Sequence, residues 1–255
     1  MLKRLIIETC FLLVGAVGAV LASTHEVGSD NIKYRASDLA LAALVSDESI
    51  AVDQNEWIVF SPAGSNATVG FIIYPGALCD PQGYAPLARE LAAKGYLAVI
   101  MPMPKNLAIM DVDKVNDVKA AYPVIDNWAI GGHSYGGASA IVYLRKNPMG
   151  VSALVMFDSY TNEGLRFDDG DLPILSLYGN AHHNPDRPDI FENAKQFMPA
   201  DVMYHLVDGA DHMQFGSFRQ EDIAEQNTAT ISEGEQQAQV VAATLAFLGN
   251  VYSDN

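Results

Sequence analysis

What most constrains this chain is a rhythm that begins near residue 56. Short apolar runs at 57–60, 71–74, 97–101, 128–131, 153–157, 174–178 and 202–207 alternate with stretches of helical pattern at 84–94, 112–121, 135–146 and 236–248. Such runs are too short for core helices and lack the alternation of a strand with one wet face. They suit strands buried on both sides. Parallel strands need crossover connections, and crossover helices cover both faces of the sheet. The expected fold class is therefore α/β, with a mostly parallel central sheet between helical layers. Local punctuation agrees: Gly95 closes one helical stretch, Pro123 ends another, and Ser232-x-x-Glu235 opens the last as a capping box. Residues 23–55 are polar and mixed, with a short helix expected at 37–44, and read as an N-terminal extension to a catalytic domain at 56–255. Only 16 residues, 158–173, separate two late strands, so no large lid domain is expected there.

At 255 residues and 49% hydrophobic, the chain can bury one sizeable core. A formal net charge of −16, without a lysine or arginine cluster, argues against binding a nucleic-acid backbone. The first 22 residues read as a targeting segment. Lys3 and Arg4 precede a mostly apolar stretch at 5–21, and Val20-Leu21-Ala22 before Ser23 fits a cleavage site. The apolar stretch also approaches the roughly 18 residues of a membrane span, so a retained anchor is the alternative to cleavage. Either way the catalytic part is expected to be exported, secreted or periplasmic. Cys10 lies in this segment, which leaves Cys79 without an internal disulfide partner.

In sheets of this kind chemistry collects at the carboxyl ends of strands. Gly132-His133-Ser134-Tyr135-Gly136 stands at such an end, between the run at 128–131 and the helix at 135–146. A G-x-S-x-G between strand and helix is a nucleophile elbow: the serine sits on a sharp turn, and glycines at positions 132 and 136 let strand and helix approach. Amide groups at the start of the following helix face developing negative charge. A second oxyanion donor is expected from Tyr74-Pro75-Gly76-Ala77-Leu78, with Gly76 allowing a tight turn that aims the Ala77 N–H inward beside that of Tyr135. The general base is expected on a loop after the last core strand, where His212 lies in Gly209-Ala210-Asp211-His212. His205 falls within a strand, His25 lies near the targeting segment without a motif, and His133 next to the nucleophile is better suited to shaping the site.

The chain resembles bacterial α/β-hydrolases of the dienelactone-hydrolase-like group, the α/β-hydrolase fold-5 proteins. The resemblance rests on Tyr74-Pro75-Gly76 with Asp80-Pro81, Tyr84-Ala85-Pro86-Leu87-Ala88, Pro102-Met103-Pro104 with Asn106-Leu107-Ala108, Gly131 to Gly137, His212-Met213-Gln214-Phe215-Gly216, and Ala229-Thr230-Ile231-Ser232 with Glu235 to Gln239. It implies the α/β-hydrolase fold and an exported Ser/His/Asp hydrolase without metal or organic cofactor. One departure matters. Relatives resemble "YGSNDG" where this chain reads Tyr178-Gly179-Asn180-Ala181-His182-His183, so the customary acid position holds His182. His182 and His183 lack a third ligand at recognisable spacing and are expected in a polar loop. The acid is assigned to Asp158, which ends the run at 153–157, where relatives carry a small residue; Asp186 and Asp189 are the rivals. Asp211, adjacent to His212, is poorly placed to reach its ring. The expected activity is cleavage of a small-molecule carboxylic ester or related acyl bond through Ser134, with amide or lactone cleavage and acyl transfer left open. The alternative is a hydrolase scaffold that has lost catalysis and acts as a binding protein.

Overall fold

The computed structural model describes residues 31–64, 66–181 and 190–253. The targeting segment, Cys10, His25, His182, His183, Asp186 and Asp189 lie outside these. In chain order the described elements are helix α1 (Asp38–Ala43), strands β1 (Ile50–Asp53), β2 (Ile58–Pro62) and β3 (Val69–Tyr74), helix α2 (Ala85–Ala93), strand β4 (Leu97–Ile100), helix α3 (Val115–Ala121), strand β5 (Asn127–His133), helix α4 (Tyr135–Lys146), strands β6 (Ala153–Phe157) and β7 (Ile174–Gly179), helix α5 (Ile190–Lys195), strand β8 (Met203–Val207), and helices α6 (Gln220–Ile223) and α7 (Glu233–Val251).

Among the described residues eight strands form one sheet in the order β1-β2-β4-β3-β5-β6-β7-β8. β1 pairs with β2 and β2 with β4 antiparallel, and all later pairs are parallel. Alternation along each inner strand feeds two cores. Phe71, Ile73, Val155 and Phe157 face the layer of α2 and α7. Ile72, Ile130, Leu154 and Met156 face the layer of α3 and α4. Both faces are thus dry, which is why the strands read as continuous apolar runs. The capping box forms as expected, with the Glu235 amide donating to Ser232 Oγ at 3.3 Å and the Ser232 amide to Glu235 Oε2 at 2.9 Å. Among the described residues no helix is long and apolar enough to cross a membrane.

Two expectations are corrected. The boundary at 55/56 is not a domain boundary. Ile50–Asp53 is a strand of the same sheet, in register Ile50↔Pro62 and Val52↔Phe60, and Tyr34, Leu44 and Ile50 belong to the main core. β1 is an edge strand with Ile50 buried and Ala51 and Asp53 exposed, so it leaves no apolar run in the sequence. The helix expected at 112–121 begins only at Val115. Before it, residues 108–114 form 3-10 turns broken at Asp111, whose φ/ψ of −155°/63° is not helical.

Candidate active site

Ser134 sits between the end of β5 and the start of α4 with φ 53° and ψ −122°. A left-handed backbone is costly for a residue with a Cβ. Here it is held by its surroundings: the Ser134 amide donates to the Phe157 carbonyl at 3.0 Å, and Ser159 Oγ donates to the Ser134 carbonyl at 2.7 Å. The glycines of the elbow are required by close approach. A Cβ on Gly132 would lie 2.4 Å from the carbonyl carbon of Gly136, and one on Gly136 would lie 2.2 Å from the Tyr74 carbonyl oxygen.

His212 opens a 3-10 turn (His212–Phe215) on the loop after β8. Its Nε2 lies 2.9 Å from Ser134 Oγ, and its Nδ1 lies 2.6 Å from Asp158 Oδ2. Asp158 follows β6 directly, with φ 45° and no exposed surface. Its Oδ1 accepts the Gly179 amide at 3.0 Å, and the Tyr160 hydroxyl donates to Oδ2 at 3.3 Å. Burial, followed by the Asp158 charge, pushes the Tyr160 phenol well above its ordinary value, so it remains a donor to the carboxylate across the neutral range. Asp158 and His212 are thus brought together with Ser134. Asp211 is not: its Oδ1 accepts the Met213 amide at 2.9 Å, and its Oδ2 accepts the amide and hydroxyl of Thr228 at 2.9 and 3.0 Å. Asp211 shapes the turn that carries His212. Gln236 of α7 steadies it further, accepting the Asp211 amide at 3.0 Å and donating to its carbonyl at 2.8 Å. His205 is exposed on β8.

A cavity of about 120 Å³ opens over Ser134 and His212, lined also by Ala77, Tyr135 and His133. Both expected oxyanion residues therefore border Ser134. The local reason differs from the one expected, because the left-handed residue of that loop is Leu78 (φ 60°) rather than Gly76. Gly76 is needed for space: a Cβ there would stand 2.8 Å from His133 Nδ1 and 3.1 Å from Tyr84 Oη. Cys79 also borders the cavity, but burial pushes its thiol up to about 12, which leaves it protonated and a poor nucleophile.

The sequence reading missed one wall. Lys33, Tyr34 and Gln226 line the same cavity. Residues 33–37 form a strap across it. The amides of Lys33 and Tyr34 donate to the Leu78 carbonyl at 2.9 and 3.2 Å, the Ser37 amide donates to Ser217, and Arg35 grips Asp222 with Nε and Nη2 at 2.8 and 2.6 Å. No motif marks these residues, since their partners lie far along the chain. A larger groove of about 890 Å³ runs between α1, α2 and α7 and shares no lining residue with the Ser134 cavity.

A doubly covered, mostly parallel sheet with a serine at a strand–helix elbow defines an α/β-hydrolase architecture. The α/β-hydrolase family sequence model matches residues 70–238, and the chain belongs to that family. No curated protein sequence matches it significantly. Among solved structures it is similar to a dienelactone hydrolase from Anabaena variabilis (TM-score 0.58, 14% identity, covering 79% of this chain and 95% of that one). It is also similar to a ferulic acid esterase from Streptomyces cinnamoneus (TM-score 0.56, 18% identity, 74% and 68% covered). A third is a carboxylesterase from Bacillus subtilis (TM-score 0.52, 12% identity, 84% and 95% covered). At these identities the likeness is one of fold.

Proposed function

We propose that this protein is a serine hydrolase that cleaves a small-molecule carboxylic ester, or a related acyl bond, through an acyl-enzyme on Ser134. The observation that carries the reading is the unbroken chain from Ser134 Oγ to His212 Nε2 (2.9 Å) and from His212 Nδ1 to Asp158 Oδ2 (2.6 Å). Ser134 Oγ attacks the acyl carbon while His212 Nε2 takes its proton. The carbonyl oxygen, now an oxyanion, is met by the amides of Ala77 and Tyr135. Collapse of the tetrahedral species expels the alkoxide, which receives the proton from His212. Water then attacks the acyl-enzyme with His212 again as base, releasing the acid and restoring Ser134. Asp158 holds the His212 ring in the tautomer with hydrogen on Nδ1 and stabilises the imidazolium between the two proton transfers.

Turnover of p-nitrophenyl esters, together with labelling by a fluorophosphonate, tests this reading. Wild-type protein is expected to hydrolyse the esters and to carry the label on Ser134. Ser134→Ala is expected to lose labelling and to drop kcat by about 10⁴-fold or more with the fold intact, since the change removes one oxygen. Undiminished turnover in folded Ser134→Ala would overturn the proposal.

A further inference from the structure

Within the site a second hydrogen-bonded chain runs behind the first and involves none of the three residues' side chains. The Gly76 amide donates to Tyr84 Oη at 2.9 Å, Tyr84 Oη lies 2.8 Å from His133 Nδ1, and His133 Nε2 lies 2.9 Å from the carbonyl oxygen of His212. The direction of each bond follows from the ends. The His212 carbonyl can only accept, so His133 Nε2 carries hydrogen. In a neutral ring Nδ1 is then the acceptor, and it receives the Tyr84 hydroxyl hydrogen. Tyr84 Oη is left to accept from Gly76. Tyr84 and His133 are each 1% exposed, a setting that disfavours a charged ring and makes an unmade bond costly. The two rings also pack on what they hold: His133 lies 4.7 Å from the His212 ring and 5.8 Å from that of Tyr84, centroid to centroid.

We infer that Tyr84 and His133 are positioning residues that lock the Pro75-Gly76 peptide, next to the Gly76-Ala77 peptide that carries the oxyanion donor, to the backbone of His212, and so set that donor and the base at one fixed separation. The inference rests on the proposed serine-hydrolase reading and deepens it. Three segments far apart in sequence must meet around one tetrahedral carbon: the loop after β3, the elbow after β5 and the turn after β8. The sheet ladder fixes the strand ends but not the peptide planes of the loops beyond them. The Tyr84–His133 relay ties two of those loops directly, and it starts at the residue before Ala77. A neutral His133 also avoids placing a second positive charge against the His212 imidazolium when that forms. Misplaced donors cost the transition state more than the ground state, since the oxyanion exists only in the former.

Tyr84→Phe is the test, because it removes only the hydroxyl in the middle of the relay. Its expected effect is a 10- to 100-fold loss in kcat with KM within about twofold. Affinity for an alkyl boronic acid, which forms a tetrahedral adduct with the serine, is expected to fall by the same factor, with near-UV circular dichroism unchanged. A kcat within twofold of wild type overturns the inference, and so does a loss of kcat with boronate affinity retained. His133→Asn and His133→Leu provide the second measurement should Tyr84→Phe not fold. Asparagine retains an acceptor near the Nδ1 position and leucine retains none, so the asparagine variant is expected to bind boronate at least fivefold more tightly; equal affinities overturn the inference. Fluorophosphonate labelling of wild-type protein keeps the two readings apart. Without it the serine-hydrolase reading itself falls. With it, an unaffected Tyr84→Phe removes only the relay.

Discussion

The two sides of the Ser134 cavity are built by different means. On one side lie the ends of β5, β6 and β7. There Ser134 and Asp158 take left-handed backbone angles, with φ 53° and 45°, directly after their strands. The sheet ladder holds both: the Asp158 amide continues the β6–β7 pairing to the Leu177 carbonyl at 2.7 Å, and Ser134 does the same towards Phe157 at 3.0 Å. On the other side, the loop at 76–80, the strap at 33–37 and the turns at 212–226 meet only through bonds between distant segments. The first side spends backbone strain on fixing the reacting groups. The second side encloses and aligns them. Substitutions on the ladder side, at His212 and in the relay that joins it to Gly76 should therefore act through chemistry or fold, and those in the strap at 33–37 and its partner Asp222 through modest changes in stability.

After the loss of Ser134 itself, the largest expected effect belongs to Asp158→Asn. The Asp158 carboxylate, directly after β6, lies 2.6 Å from His212 Nδ1, and the proposed mechanism takes its acid from there. An amide at position 158 cannot hold the His212 tautomer that leaves Nε2 free to take a proton. The expected fall in kcat is about 10³–10⁴-fold with KM little changed. Near wild-type turnover in this variant, with collapse in Asp186→Asn or Asp189→Asn, would break the comparison by moving the acid to the loop after β7. A smaller effect, on stability, is expected from Gly136→Ala. Its Cβ would press on the backbone at Tyr74, which cannot move without displacing β3. A cost of about 3 kcal/mol corresponds to a fall in melting temperature of about 6–12 °C. A fall under 2 °C would show that the elbow is less tightly fitted than its contacts imply.

How much of this was legible follows the same division. The ladder side is encoded locally. The apolar run at 153–157 and the helical pattern at 135–146 coincide with β6 and α4 to the residue, because strand runs, elbow glycines and helix period are all short-range signals. Asp158 stood out because it ends such a run, and the geometry sets its carboxylate on His212; its catalytic role rests on the measurement above. The strap side is encoded by contacts that no window of sequence contains. Arg35 meets Asp222, 187 positions away, and Tyr84 reads as the start of an amphipathic helix although its hydroxyl serves Gly76 and His133. β1 was missed for a related reason. An edge strand with one wet face needs few apolar residues, and only its pairing with β2 identifies it.

The smallest expected effect is the one that tests the strap. Hydrogen bonding and the charge of the Arg35 guanidinium hold the Asp222 carboxyl below its ordinary value. A depressed folded-state value means that the unfolded chain takes up the proton first, so ionised Asp222 favours the folded state. That contribution is complete above the ordinary aspartate value of about 3.9, shrinks as pH falls below it, and is gone once pH passes the lower folded value. The Arg35 side chain is 48% exposed, and solvent screening keeps such a pair weak. Asp222→Asn is therefore expected to lower the melting temperature by only about 1–3 °C at pH 5 to 7. It should converge with wild type near pH 2 and change kcat less than threefold. A gap that persists unchanged at pH 2 would mean that the strap is held by something other than this ion pair. A tenfold loss of kcat at pH 7 would mean that the strap belongs to the chemical side of the cavity, and the division between the two sides would have to be redrawn.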